Sequence, residues 1–407
     1  MELAEGEARP LSGGAKKRAL AWLRSGIALA LLAFGASLIP WRDRLVCIDG
    51  RKTVDVTGTI HGGWRESSIR FQADPGQHPD PAWPAPIIAG IESGREFEVA
   101  RAPDTETTGP RFDWKPGMLR VFREVDPRLL WLALFLITSG ALVAITRWWR
   151  LLAVAGCATR WTSALRLSFL GFFFNVVLPA GITGGDVIKA VLVVREHPER
   201  RADAFVTVVV DRALGLLVLM GLAAGVVVFS GHRFAELELP VVAAFLVALI
   251  VLWVMLHPGP RRWLGLSALL ERMPQKERLR SIDRALRIYS EHPFEILAAI
   301  GLSALNHICI GGSVFVLGRA FGEDHLSFLE YLGVAAIANT ISSVPVTPAG
   351  WGVGEWAFGS LFHVLGSSST LGVAVSVAYR LLSMLLGLAG GLFLLLPGGR
   401  AELKEVQ

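Results

Sequence analysis

Two segments of the chain share a glycine-rich turn that ends in an acid. They are PAGITGGD at residues 179–186 and PAGWGVGE at residues 348–355, which align without a gap at an offset of 169 residues. Each turn interrupts an apolar region, 163–194 and 328–366 respectively. Backbone that is not helical cannot face lipid, because each unsatisfied amide or carbonyl costs several kcal/mol there. Each turn is therefore expected to line a cavity or to be buried in protein.

The other apolar residues are gathered into runs long enough to cross a bilayer. The 407-residue chain is 52% hydrophobic and only 18% charged, against about 25% charged residues in a soluble domain. This composition excludes a disordered chain or a nucleic-acid-binding tail and disfavours a soluble enzyme. A span needs roughly 20 apolar residues, and six stretches qualify: about 20–40, 128–146, 203–230, 240–256, 293–318 and 372–396.

Cations between the runs predict the orientation, because Lys and Arg in short loops stay on the cytoplasmic side. The N-terminus, the C-terminus and the basic loop 261–287 are all predicted to be cytoplasmic. The segment that holds Arg147 and Arg150 reads as a cytoplasmic loop too. On this path the interrupted region 163–194 opens to the cytoplasm, whereas 328–366 opens to the outside. The predicted location is the bacterial cytoplasmic (inner) membrane.

The expected fold class is an all-α polytopic membrane protein. Six full spans and two re-entrant broken-helix hairpins form inverted repeats, with a small extracytoplasmic β-rich insert. The first span is alternatively a cleaved signal peptide. The expected domains are a cytoplasmic N-terminus 1–19, a first transmembrane helix 20–40, the β-rich insert 41–127, a transmembrane domain 128–397 (repeat 1 at 128–230, connector 231–292, repeat 2 at 293–397) and a cytoplasmic tail 398–407.

The insert has its own local signals. Asp49-Gly50 lies between the apolar runs 45–48 and 52–56, which is typical of a type I′ hairpin. Residues 117–126 predict an interfacial helix that leads into the second span. The three cysteines, Cys47, Cys157 and Cys309, fall in different regions and predict neither a disulfide nor a metal site.

Asp186 and Glu355 occupy matched positions at the ends of the two turns. Half-helices are predicted to begin near 184 and 353, where free amides and the helix dipole attract an anion. An acid in that first turn either caps the helix or, at membrane depth, carries a proton or contacts a cationic group. Both readings stay open.

Arg212 and Arg380 lie eight to nine residues into their predicted spans, near the middle of the membrane. An arginine there costs at least ~2.5 kcal/mol, so something must offset that cost. One reading is a structural ion pair with Asp186 or Glu355. The other is a clamp on a lipid phosphate, since guanidinium binds phosphate oxygens bidentately.

Other residues near the turns are weaker candidates. Lys189 either pairs, snorkels to the interface or binds substrate, whereas Asn175 and Asn339 are expected to line the pocket and satisfy carbonyls of the broken helices. Asn306 and His307 either line the pathway or bond between helices. Glycines give a ligand access to the backbone, and the candidates for such contacts are Gly181, Gly184, Gly185, Gly350 and Gly352. No cofactor or metal is predicted.

The motifs at 174–190, 211–212 and 348–355 resemble the transmembrane, flippase-like region of the lysylphosphatidylglycerol synthases and their stand-alone relatives. The resemblance covers roughly 128–397. It implies that the membrane region moves an aminoacylated lipid between leaflets in full-length enzymes, and various lipids, including hopanoids and polyprenyl-linked glycolipids, in the relatives. Lys189 stands where an arginine is common, and Trp356 where a small residue is common. The aminoacyl-transfer domain is not expected in this chain, so synthase activity is not carried over.

The sequence therefore favours a flippase-type transporter of an anionic phospho- or polyprenyl-linked lipid, with proton coupling left open. One alternative is a membrane-embedded transferase acting on a lipid phosphate. Another is a non-transporting subunit for envelope assembly. The expected partners are membrane lipids with anionic head groups, with envelope-synthesis proteins as further candidates and no nucleic acid. The sequence does not determine the oligomeric state.

Overall fold

The computed structural model describes residues 41–395 except 50–51, 82, 101–110, 178–181, 257–258, 260–275 and 345–350. The predicted first span 20–40 and the tail 398–407 lie outside the described residues. So do Gly181 and Gly350.

The insert is a five-stranded antiparallel sheet with the order β4-β3-β2-β1-β5. Its core includes the fully buried side chains of Leu45, Phe71 and Trp114, so the β-rich domain predicted from the sequence exists. The elements are β1 (Asp43–Asp49), β2 (Lys52–His61), β3 (Ser68–Ala73), helix α1 (Ala85–Ser93), β4 (Phe97–Ala100) and β5 (Arg111–Lys115).

The predicted hairpin between β1 and β2 forms, but one residue later than expected. Asp49 pairs with Lys52 in the ladder, so Asp49 belongs to the strand and the connection is residues 50–51. Because the pairing includes Asp49, the connection begins at residue 50 rather than at Asp49.

A short helix, α2 (Met118–Arg123), joins the sheet to the membrane helices. The buried carboxylate of Asp43 accepts the amides of Ile60 and Gly117 at 2.9 and 2.7 Å and the Nε of Arg120 at 2.9 Å. The ring of Phe122 packs edge-on against Phe321, at the end of a membrane helix. One acid of β1 thus binds strand β2, the residue before α2 and a side chain of α2 itself.

The regular elements described in the membrane part are all helices, and five of its segments are long and apolar enough to span a bilayer. Each of the five coincides with a predicted span, and each interrupted region forms two shorter helices. The chain is therefore a polytopic membrane protein. The helices are α3 (Pro127–Val154), α4 (Trp161–Val177), α5 (Ile182–Glu196), α6 (Arg201–Phe229), α7 (Ala235–Leu256), α8 (Lys276–Ser290), α9 (Pro293–Ala320), α10 (Phe328–Ser342), α11 (Val353–Val364) and α12 (Ser369–Ala389), which continues as a 3₁₀ turn, Gly390–Leu395.

One boundary differs in a way that matters for function. The predicted span 128–146 continues to Val154 as α3, so Arg147 and Arg150 are helical rather than in a loop. Arg147 is only 5% exposed. It can stay inside the protein because a carboxylate on α6 pairs with it, a partner that loop-charge counting does not reveal.

The packing follows one pattern twice. We call α3–α6 the first half and α9–α12 the second half. The long helices α3 and α9 pack against each other, α6 packs on α10, and α12 correspondingly packs on α4. Exchanging the two halves leaves this set of neighbours unchanged. Helices α7 and α8 lie outside the pattern and pack on α6.

Candidate functional site

In the first half, Asp186 near the start of α5 faces Arg212 on α6. The Nε of Arg212 lies 2.5 Å from the Oδ2 of Asp186. The side chains remain 52% and 28% exposed for Arg212 and Asp186, respectively. The structure thus pairs Arg212 with Asp186, one of the two acids that the sequence offers as its ion-pair partner.

In the second half, Glu355 in the first turn of α11 faces Arg380 on α12. The Nε of Arg380 lies 2.6 Å from the Oε1 of Glu355, and the side chains are only 15% and 9% exposed. The Oε2 of Glu355 accepts the amide of Gly352 at 2.6 Å, so this acid also caps its helix. Ser376 donates to Oε1 at 3.3 Å, and the guanidinium lies 5.5 Å from the ring centre of Trp351.

Glycines allow close approach at both turns. Gly352 has φ +83°, a backbone conformation that residues with a side chain adopt only with strain. A Cβ on Gly354 would collide with the guanidinium of Arg380 and lie 3.0 Å from the Oγ of Ser342. In the first half, Gly184 and Gly185 are buried, and a Cβ on Gly185 would collide with the carbonyl oxygen of Gly171.

The asparagines and the histidine bind backbone or lie between helices. Asn175 accepts the amide of Gly185 at 2.7 Å through its Oδ1, so it satisfies an amide of the broken helix rather than the carbonyl that was expected. His307 on α9 contacts the carbonyl of Gly215 on α6 through its Nε2 at 2.9 Å. Asn306 is buried beside Gly140 of α3. Asn339 lies, half-buried, near the end of α10.

A second set of charges, which sequence reasoning missed, lies in the first half. We call Arg147, Asp211 and Lys189 the charge cluster. The Nε of Arg147 donates to the Oδ1 of Asp211 at 2.8 Å, and its Nη1 donates to Ser303 of α9 at 2.6 Å. The Nζ of Lys189 lies 4.0 Å from the Oδ2 of Asp211 and 3.6 Å above the ring of Trp148.

One signal in the sequence could have led to this cluster. Asp211 and Arg212 are neighbours in a helix, and neighbouring helix positions do not face each other. Each residue therefore requires a separate partner. Arg212 pairs with Asp186, and Asp211 pairs with Arg147 and Lys189.

The second half has no charges at the corresponding positions. At the offsets that align the acids and the arginines, Lys189 corresponds to Phe358 and Asp211 to Tyr379. Arg147 corresponds to a residue within 313–316, a stretch of Ser, Val and Phe. The halves share the acid–arginine pair but differ in the layer of charge next to it.

The fold and these buried charges define an integral membrane protein with helices interrupted at polar sites. A family model described as the lysylphosphatidylglycerol synthase TM region matches residues 111–391, and the chain belongs to this family. The resemblance that the motifs suggested is thereby confirmed.

Curated relatives carry general names. The chain is similar to a UPF0104 membrane protein of Pyrococcus horikoshii, with 23% identity over 69% of this chain and 92% of the relative. A UPF0104 membrane protein of Methanocaldococcus jannaschii is 20% identical over 66% of this chain and 84% of the relative. No solved structure matches the chain. These names state neither an activity nor a substrate.

Proposed function

We propose that the protein is a lipid transporter of flippase type, which moves an anionic phospho- or polyprenyl-linked lipid between leaflets. The observation that carries the proposal is the recurrence of one arrangement. In each half an arginine on a long helix lies against an acid at the start of a short helix, 2.5 Å apart in one case and 2.6 Å in the other.

The chemistry of the pair suits exchange of one anion for another. A guanidinium has five N–H donors and binds carboxylate and phosphate oxygens with similar geometry. Because an arginine at membrane depth always needs a counter-charge, the acid serves as the counter-ion until a head-group phosphate replaces it. The displaced carboxylate and the bound phosphate together add negative charge beside the site, and uptake of a proton there would couple transport to a proton gradient.

The two pairs differ in exposure as alternating access requires. Arg212 is 52% exposed and Arg380 15% exposed, so one pair is open while its counterpart is closed. We infer that the halves are inverted repeats, with hairpins that enter from opposite faces. The shared packing pattern and the loop cations support this inference. Exchanging the conformations of two such halves exchanges the open and closed sites.

Transport can be measured in liposomes that contain the purified protein. Leaflet exchange of a fluorescent anionic phospholipid is expected to fall at least about tenfold in Arg212→Ala and in Arg380→Ala, since a lost charged hydrogen-bond partner is worth about 1.5–3 kcal/mol. Exchange that is unchanged in both variants would overturn the proposed roles of the arginines. Exchange no faster than in protein-free liposomes would overturn the function itself.

Arg150→Ala is the matched control. Arg150 lies on a membrane helix and forms an ion pair with Glu295 of α9 at 2.9 Å, rather than with either acid of the two acid–arginine pairs. Removing it deletes an arginine and breaks an ion pair without touching either acid–arginine site. Its exchange rate is expected to equal that of the unchanged protein.

A further inference from the structure

We propose that Lys189 takes up a proton when the anionic head group binds, so that ion coupling resides in the first half of the protein. This inference rests on the proposed lipid transport and names the group that links it to protons. It concerns a residue whose counterpart in the second half, Phe358, cannot titrate.

The five charged side chains that the structure describes around and including Lys189 do not balance. Asp211 is the counter-ion of both Arg147 and Lys189, whereas Asp186 and Arg212 neutralise each other. With Lys189 protonated, the cluster and the neighbouring pair carry one excess positive charge. Burying an uncompensated charge is costly, and Lys189 is only 8% exposed.

Only one member of the cluster can relieve this excess. Arginine does not lose its proton in proteins, so Arg147 stays charged. Asp211, which accepts a hydrogen bond from Arg147 at 2.8 Å, supplies the negative charge of the cluster, so a proton on Asp211 would enlarge the excess. Lys189 is the remaining group, and lysines shift their protonation readily when buried.

The surroundings of Lys189 can accommodate both the protonated ammonium and the neutral amine. Its Nζ is 4.0 Å from the nearest oxygen of Asp211, which is longer than a hydrogen bond. The ring of Trp148 lies 3.6 Å below the Nζ and is itself anchored, because its Nε1 donates to Thr207 at 3.1 Å. An aromatic face attracts the ammonium and also packs against a neutral amine.

The charged groups that face Lys189 come from three helices. They are Arg147 of α3, Asp211 and Arg212 of α6, and Asp186 of α5 itself. From α9, His307 contacts the carbonyl of Gly215 on α6. From α4, Arg166 is bound to Glu196 of α5 at 2.8 Å.

Head-group binding supplies the negative charge that Lys189 lacks. Lys189 follows Asp186 by three residues, so both lie on one face of α5. A phosphate that displaces Asp186 from Arg212 leaves both anions within about one turn of Lys189. The excess positive charge is then compensated, and the protonated form is favoured. By linkage, protonation of Lys189 must strengthen binding of the anion by the same factor.

The test is calorimetry of the detergent-solubilised protein with short-chain phosphatidylglycerol. Titrations in buffers of different ionisation enthalpy give the number of protons taken up per lipid. The unchanged protein is expected to take up a proton at alkaline pH. Lys189→Arg, which is always charged, and Lys189→Met, which is never charged, are both expected to bind without uptake. Lys189→Arg is also expected to keep the contacts with Asp211 and Trp148. Loss of proton uptake in this variant therefore cannot be attributed to loss of the fold.

Each contrary outcome has a distinct meaning. Uptake that persists in Lys189→Arg, or is absent from the unchanged protein, overturns this inference and leaves lipid transport standing. Uptake abolished by Asp186→Asn but retained in Lys189→Arg assigns the proton to the carboxylate instead. If the unchanged protein binds glycerol phosphate as well as the lipid, or binds neither, the lipid assignment itself fails.

Discussion

Glu355 binds Arg380 with one carboxylate oxygen and the start of α11 with the other. The Oε1 lies 2.6 Å from the Nε of Arg380, and the Oε2 accepts the amide of Gly352 at 2.6 Å. A single side chain therefore links the turn of the second hairpin to the span beside it. If Arg380 separates from Glu355, the position of that turn is therefore expected to change.

Two substitutions of Glu355 separate these contacts. Glu355→Gln keeps an oxygen for the amide of Gly352 but leaves Arg380 without its counter-charge, which is expected to cost about 3 kcal/mol. Glu355→Ala also loses the cap, worth about 1 kcal/mol more. Thermal unfolding in detergent should rank the unchanged protein above the Gln variant and the Gln variant above the Ala variant. Equal melting temperatures for the two variants would contradict a capping role.

Lipid exchange is expected to require a residue without a side chain at position 354. In Gly354→Ala the Cβ would displace the guanidinium of Arg380 from its place beside Glu355, so lipid exchange should fall as far as it does in Arg380→Ala. Gly301→Ala on α9 is the control, because nothing lies within 4 Å of a Cβ there. The two glycine variants should express alike and differ in liposome transport. Similar transport in both would argue against close packing at Gly354.

The charge cluster predicts an unequal effect of two single substitutions. In Arg147→Gln, a protonated Lys189 can still balance Asp211. In Asp211→Asn, the buried guanidinium of Arg147, which cannot lose its charge, has lost its counter-ion. Asp211→Asn should therefore destabilise the protein by about 3 kcal/mol, and Arg147→Gln should cost clearly less. Melting curves of both variants measure the difference. The reverse order would show that the bond from Arg147 to Ser303 matters more than the charge balance.

The proposed inverted topology predicts opposite faces for equivalent loops. Single cysteines introduced at two exposed positions, Glu199 after the first hairpin and His363 in the last turn of α11, should react with an impermeant maleimide from the cytoplasmic and the outer side, respectively. Ser290 on α8 should label from the cytoplasm, and Glu98 on β4 from outside. Labelling of positions 199 and 363 from the same side would contradict the inversion.

The native cysteines suit this experiment. Cys47 and Cys157 are buried, and burial, followed by the charge of Asp203, raises the pKa of the Cys157 thiol. A raised pKa leaves less of the reactive thiolate at neutral pH. Only the half-buried Cys309 calls for replacement, and Cys309→Ala should show negligible background labelling.

Much of the fold could be predicted from the sequence because lipid imposes strong rules on it. Span length, broken helices at the two Pro-Ala-Gly turns and a β-rich insert all follow from local composition. The partners of the charges were harder to predict. The apolar run ends near residue 146 and therefore predicts a loop at Arg147, although the helix continues to Val154.

Contacts between helices could not be predicted from the sequence, for a physical reason. The pairing of Asp211 with Arg147 depends on how α3 and α6 pack, and the bond from Arg147 to Ser303 depends on α9 as well. No local propensity encodes these arrangements. The pairs Asp186–Arg212 and Glu355–Arg380 could be proposed in advance because the recurrence of the motif placed acid and arginine at matched positions.

The sheet gives this protein a feature that purely helical membrane proteins lack. Asp43 ties the sheet to α2, and Phe122 seats that helix against Phe321. An antibody fragment raised against the exposed face of the sheet would project from the detergent micelle. It would act as a fiducial mark for aligning single particles in cryo-electron microscopy, a practical route to images of the helices with lipid bound.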